Sequence, residues 1–168
     1  MKNKNAVKPI VILTVVYGIA LIWIVLFKTI EPWRIGELDR MRRINLFPFT
    51  YDTEAPFRLS EVLLNVAVFV PFGVLLSMLG VRPAPTVLFG AGFSLLMETL
   101  QYAFRVGASD VTDLITNTAG TALGVGMYLL LSRIVKDRAK LNKALMIVGF
   151  ACAGVFFAFA AVLFLANR

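Results

Sequence analysis

Five long stretches of the chain carry no charge: Pro9 to Phe27, Val62 to Val81, Pro83 to Met97, Leu114 to Ser132 and Ala144 to Asn167. The third continues past Glu98 to Phe104 without another charge. A helix rises about 1.5 Å per residue, so runs of this length cross a hydrocarbon layer about 30 Å thick. The pattern predicts an all-α polytopic membrane protein, a bundle of about five transmembrane helices near residues 9–28, 61–81, 84–104, 111–132 and 144–168. One longer external loop, residues 29–60, separates the first two helices, and a basic loop over 135–143 precedes the fifth.

Within the apolar runs the polar positions repeat at helical spacing. Gly90, Ser94, Glu98, Gln101 and Arg105 form one stripe on the third helix, and Asp113, Asn117, Gly120 and Gly124 form another on the fourth. The second helix presents Asn65, Phe69, Gly73 and Ser77. Counted from the helix ends nearest the 105–110 turn, Asn65, Glu98 and Asn117 lie about 8 to 10 Å inside at helical rise. They are expected to meet at one depth, with the stripes facing each other, because a polar group turned to lipid stays unsatisfied. An ionised Glu98 in hydrocarbon costs on the order of 3 kcal/mol or more unless it is protonated, hydrated or paired. Arg105, two turns further on the same face, is expected to reach back toward it. Asn65, Glu98, Gln101, Arg105, Asp113 and Asn117 are therefore the candidate ligand-binding residues.

Other positions are explained by architecture. Asp110 is placed to cap the fourth helix, and Asp113 sits favourably in its first turn. Gly120 and Gly124 form a G-x-x-x-G pair that lets helix backbones approach closely. Pro71 removes a backbone hydrogen bond inside the second helix. Glu98, Asp110, Asp113 and Asn117 are oxygen donors of the kind Ca²⁺ or Mg²⁺ accepts, but D-x-x-D spacing is common by chance, so no metal and no cofactor are assigned.

Composition reinforces the membrane reading. Hydrophobic residues make up 59% of 168 positions and charged ones 16%, more apolar surface than one soluble core of this size buries. The net charge of +7 comes from Lys and Arg at the ends of apolar runs, which fits membrane topology and gives no reason to invoke nucleic acid. Histidine is absent, which excludes His-dependent triads and His-ligated zinc. Cys152 is the single cysteine and lies in an apolar run, where a packing role is expected.

The first run follows Lys2, Lys4 and Lys8 and reads as an uncleaved anchor. A cytoplasmic N-terminus over residues 1–8 puts nine basic residues inside and eight outside, a count that barely discriminates. The five basic residues between Arg133 and Lys143 are close together, whereas several of the others belong to the long 29–60 loop, where the positive-inside bias is weaker. The expected topology is N-terminus in, C-terminus out. In the 29–60 segment Pro32, Trp33, Phe47, Pro48, Phe49, Tyr51 and Pro56 suggest a partly ordered stretch at the membrane interface.

Four short motifs occur in order: "NLFPF" at 45–49, "LNVAVFVPFG" at 64–73, "ETLQ" at 98–101 and "DLITNTAGTALG" at 113–124. Together they resemble the VanZ-like family of bacterial membrane proteins. The resemblance spans a four-helix domain, residues 9–134, and leaves the fifth helix as an accessory. It falls on Asn45, Pro48, Asn65, Pro71, Gly73, Glu98, Gln101, Asp113, Asn117 and Gly120, with Arg105 in a region where the family often carries an arginine. The family takes its name from an accessory component of glycopeptide resistance associated with teicoplanin. The resemblance thus implies a multi-pass protein of the bacterial cell membrane and a role at the cell envelope.

Three functions fit these residues. The first is a binding or modulating protein whose external polar pocket recognises a membrane lipid headgroup, a lipid-linked cell-wall precursor or a lipophilic glycopeptide. The second is an enzyme acting on a lipid-linked precursor with Glu98 and Asp113 as acid and base. The third is a small lipid transporter, which with five helices requires an oligomer.

Overall fold

The structure, a computed structural model, describes residues 4–26, 44–50, 59–105 and 109–166. The fold is all-α, as the hydrophobic runs indicate. Its helices are α1 (Lys4–Leu26), α2 (Leu59–Met78), α3 (Pro83–Phe104), α4 (Val111–Val135) and α5 (Arg138–Ala166). Two short strands, β1 (Ile44–Asn45) and β2 (Ser109–Asp110), pair in parallel. Among the described residues four helices are long and apolar enough to cross a membrane: Val7–Leu26 and the whole of α2, α3 and α4.

Local chemistry sets several helix ends. Pro83 pushes Arg82 into an extended conformation and opens α3, since the missing proline N–H would be unpaired in a first turn anyway. At the other end Arg105 closes α3 in the left-handed region, φ 58°, with its N–H on the Gln101 carbonyl. Asp110 caps α4 as expected, its Oδ1 accepting the Thr112 N–H at 2.7 Å. The fifth helix starts at Arg138, six residues before the expected 144, because Asp137 Oδ1 accepts the N–H groups of both Ala139 (2.9 Å) and Lys140 (3.1 Å). The basic loop expected over 135–143 thereby shrinks to a tight turn at Lys136 and Asp137.

The α2 and α4 helices run parallel and pack closest, through glycine. A Cβ on Gly120 would meet the Val66 carbonyl, one on Gly124 the Val70 carbonyl, and one on Gly73 the Thr121 carbonyl. Backbone touches backbone at all three positions, which only a missing side chain permits. Around this spine α3 lies antiparallel to both, with Gly90 against the Thr121 side chain.

Pro71 sits inside α2, which stays helical across it. One turn earlier the Tyr17 hydroxyl of α1 donates to the Val68 carbonyl at 2.6 Å and ties α1 to this stretch. Apolar packing is split into two clusters. Leu21, Val25, Phe69, Phe72, Leu76 and Met97 join α1, α2 and α3, while Ile10, Leu13, Leu75, Met78, Tyr128 and Leu141 join α1, α2, α4 and α5. Exposed Leu64, Leu88, Leu95, Leu123 and Leu130 point outward along the spans, where lipid is the solvent.

Pro32, Trp33, Tyr51 and Pro56, assigned to the interfacial segment, lie outside the described residues. Residues 44–50 are described and carry exposed Ile44, Leu46, Phe47 and Phe49.

Candidate functional site

The polar residues gather at the end of the bundle where α3 finishes and α4 begins. Asn65 Nδ2 of α2 donates to Asp113 Oδ1 of α4 at 2.6 Å, with Thr116 Oγ1 at 3.5 Å. Asn117 Nδ2 of α4 donates to Ser94 Oγ of α3 at 2.9 Å. Glu98 Oε2 accepts the Asp110 N–H at 2.7 Å, and Gln101 Nε2 reaches the Val25 carbonyl of α1 at 3.0 Å. Each helix of the four-helix core thus contributes a polar contact to the same end.

These contacts sharpen the expected arrangement. Glu98 and Asn117 do not face each other. The α3–α4 register is set by Gly90 against Thr121 and Ser94 against Asn117, so one turn further along Glu98 comes level with Asp113. From there its carboxylate meets the N-cap amide of α4. A glutamate in a capping box reaches back to its own N-cap amide; here the neighbouring helix supplies that carboxylate, at the positive end of α4. The bond latches the α3–α4 hairpin across its turn.

Arg105 is exposed at the left-handed cap of α3 and makes no ion pair with a described residue. The expected reach toward Glu98 is not seen, because the left-handed cap takes Arg105 out of the helical stripe that Gln101 continues.

Glu98, Gln101 and Asn117 are 4%, 1% and 1% exposed, burial that polar side chains within a span tolerate only with partners. Gln101 Oε1 and Asn117 Oδ1 are nonetheless buried acceptors with no hydrogen-bond donor among the described residues. Both amides therefore hold acceptor capacity in reserve inside the bundle.

The "NLFPF" motif builds a turn that docks on this end. Asn45 accepts the Phe47 N–H at 3.1 Å and donates through Nδ2 to the Thr50 carbonyl at 2.8 Å and to Asp110 Oδ2 at 3.2 Å. Both ends of one amide are used, the side-chain turn that asparagine favours. The Phe49 N–H donates to Thr112 Oγ1 at 3.0 Å, and Pro48 sits exposed at the tip. Asp110 thereby becomes a hub joining β1, α3 and α4.

Thr112 and Thr116 were not among the candidate residues, yet both are buried in this network, and Thr116 Oγ1 also donates to the Thr112 carbonyl at 2.8 Å. Their i, i+4 spacing beside Asp113 was the available signal. Of the structural positions, Gly73, Gly120 and Gly124 lie in the α2–α4 contact and Pro71 lies inside α2, away from the polar end.

Among the described residues no three acidic or cysteine side chains are placed to hold a metal ion. Protein donors occupy the carboxylates instead: Thr112 N–H and Asn45 on Asp110, Asn65 on Asp113, and Asp110 N–H on Glu98. Glu98 and Asp113, the acid and base candidates, come from facing helices at one level.

The VanZ/LLP1 family matches residues 14–132. A protein of Enterococcus faecium, "Protein VanZ", is 36% identical over 139 residues, covering 82% of this chain and 83% of its own length. No solved structure matches.

Proposed function

Because the chain belongs to the VanZ/LLP1 family, we propose that its polar end is a binding site of the external leaflet which takes the headgroup of an envelope lipid or lipid-linked precursor, and so modulates susceptibility to lipoglycopeptides such as teicoplanin. The similarity to a protein named VanZ supports the envelope context. The observation that carries the binding role is the pair of buried acceptors, Gln101 Oε1 and Asn117 Oδ1, within the polar end of the four-helix bundle. A buried oxygen without a donor costs about 1 to 3 kcal/mol. A hydroxyl or amine of a ligand entering from the α3–α4 end recovers that cost, whereas a purely structural contact is better served by an apolar side chain.

The basic turn at the other end favours a cytoplasmic placement for residues 133–143, which puts the polar end outside and the N-terminus inside. Binding is favoured over catalysis, since Glu98 and Asp113 each already accept a hydrogen bond that joins two elements.

The test compares Glu98→Gln and Asn117→Ala with the unaltered protein in a host lacking its own copy. Gln at 98 still accepts the Asp110 N–H, and Ala at 117 releases only the Ser94 contact, so both variants are expected to accumulate. Lipoglycopeptide susceptibility is expected to return to that of cells without the protein. Unchanged susceptibility at normal abundance refutes the reading.

A further inference from the structure

An apolar groove runs lengthwise along the bundle, and a cationic mouth lies beyond the end of it farthest from the polar site. The groove lies between α1, α2, α4 and α5 and encloses about 480 Å³, within the ~300–1,000 Å³ range of ligand-sized pockets. Val70 and Val74 of α2, Met127 of α4 and Leu145 of α5 help to line it. The Tyr17 hydroxyl, a polar group on its wall, is already bonded to Val68. Along α1 it runs from Leu13 to Ile24, an axial rise of about 16 Å. A long, narrow, apolar space parallel to the helices has the shape of a hydrocarbon chain. Left empty, its walls forfeit dispersion contacts.

The mouth supplies the second half of the argument. On α5, Arg138, Leu141, Leu145, Val148 and Cys152 follow steps of 3, 4, 3 and 4, so Arg138 lies on the groove face. It stands about 10 Å beyond Leu145, and Lys8 about 8 Å beyond Leu13, by helical rise. Arg82, Lys136, Lys140 and Lys143 are exposed at the same end, where Asp137 is the one described carboxylate and is engaged with α5 amides and with Lys140 at 3.9 Å.

We propose that this groove holds an acyl chain of an anionic phospholipid from the adjacent leaflet, with the lipid phosphate met by Arg138 and its cationic neighbours. An apolar wall selects the chain, and long basic side chains beyond its end reach the headgroup layer. The basic cluster lies at the opposite end from the polar site, and the proposal does not depend on the function proposed for that site.

The full chain is reconstituted in phosphatidylcholine bilayers containing a small fraction of phosphatidylglycerol or of phosphatidylcholine with a photoactivatable diazirine in the acyl chain. Adducts are mapped by mass spectrometry. Phosphatidylglycerol is expected to label the groove residues Ala20, Val74 and Ala153 about fivefold more per engaged cation than phosphatidylcholine does. Lipid-facing Ile19 and Val155 are expected to take both lipids alike. Arg138→Gln, on the exposed turn, is expected to lower the phosphatidylglycerol preference about fivefold, and Ala20→Phe to abolish groove labelling while Val155 is still labelled. Equal labelling of the groove by both lipids overturns the proposal, as does a preference that survives Arg138→Gln. Absence of groove labelling by either lipid, as when a second copy of the chain fills the space, overturns it too.

Discussion

Gly124 and Gly126 lie two residues apart on α4, and replacing each with alanine separates helix propensity from helix packing. At Gly126 an added Cβ meets nothing within 4 Å. Alanine there removes the entropic penalty of a helical glycine and is expected to stabilise by about 0.5 to 1 kcal/mol. At Gly124 the same Cβ meets the Val70 carbonyl oxygen and comes within 3.0 Å of the Val74 nitrogen, both backbone atoms of α2. Backbone cannot rotate away, so α2 and α4 must separate, at the cost of about 1 to 3 kcal/mol typical of overpacking. After the propensity gain is subtracted, Gly124→Ala is expected to be neutral to destabilising by about 2.5 kcal/mol, and to fall about 1 to 3 kcal/mol below Gly126→Ala. The assay is loss of folded protein on titrating a denaturing detergent, with both variants measured in one series. Gly149→Ala is a further control, because the atom its Cβ approaches, at 2.7 Å, is Leu13 Cδ2, the far end of a flexible side chain that can turn aside. If Gly124→Ala is no less stable than Gly126→Ala, the close approach of α2 and α4 is refuted.

Two further predictions concern the polar end. Asn65→Leu removes the buried hydrogen bond from Asn65 to Asp113 Oδ1, a loss expected to cost about 1 to 3 kcal/mol in the same titration; Asn65→Asp, placing two carboxylates in contact, is expected to be worse. Asp110→Ala removes the α4 cap and the Asn45 contact together, with an expected loss of about 0.5 to 2 kcal/mol, whereas Asp110→Asn keeps an acceptor for Thr112 and is expected to retain most of it; hydrogen exchange at the first turn of α4 reads the difference.

Parts of the site were legible in the chain and parts were not. Asp110 was readable as a cap because an aspartate before a helical run carries its function locally. The facing of Ser94, Glu98 and Gln101 was readable from their spacing, and all three are buried. Spacing along one helix says nothing about how far a neighbour slides, however, so Glu98 and Asn117 were paired by counting from the helix ends. Gly90 and Thr121 set the slide instead, through a contact that no single helix encodes. The start of α5 was not legible from charge, because the basic residues of 138–143 continue a helix that Asp137 caps.

Taken alone, the sequence determined the all-α membrane architecture, the polar stripes and the family, since run length, helical period and short motifs are properties of contiguous residues. Tertiary structure decided three other things. It paired Glu98 with the α4 amide and Asn117 with Ser94, it folded the "NLFPF" turn onto Asp110 and Thr112, and it left an apolar groove among four helices above a cationic mouth. Each depends on how neighbouring helices are placed against one another, which the contacts of Gly73, Gly120 and Gly124 set between α2 and α4 and Gly90 against Thr121 sets between α3 and α4.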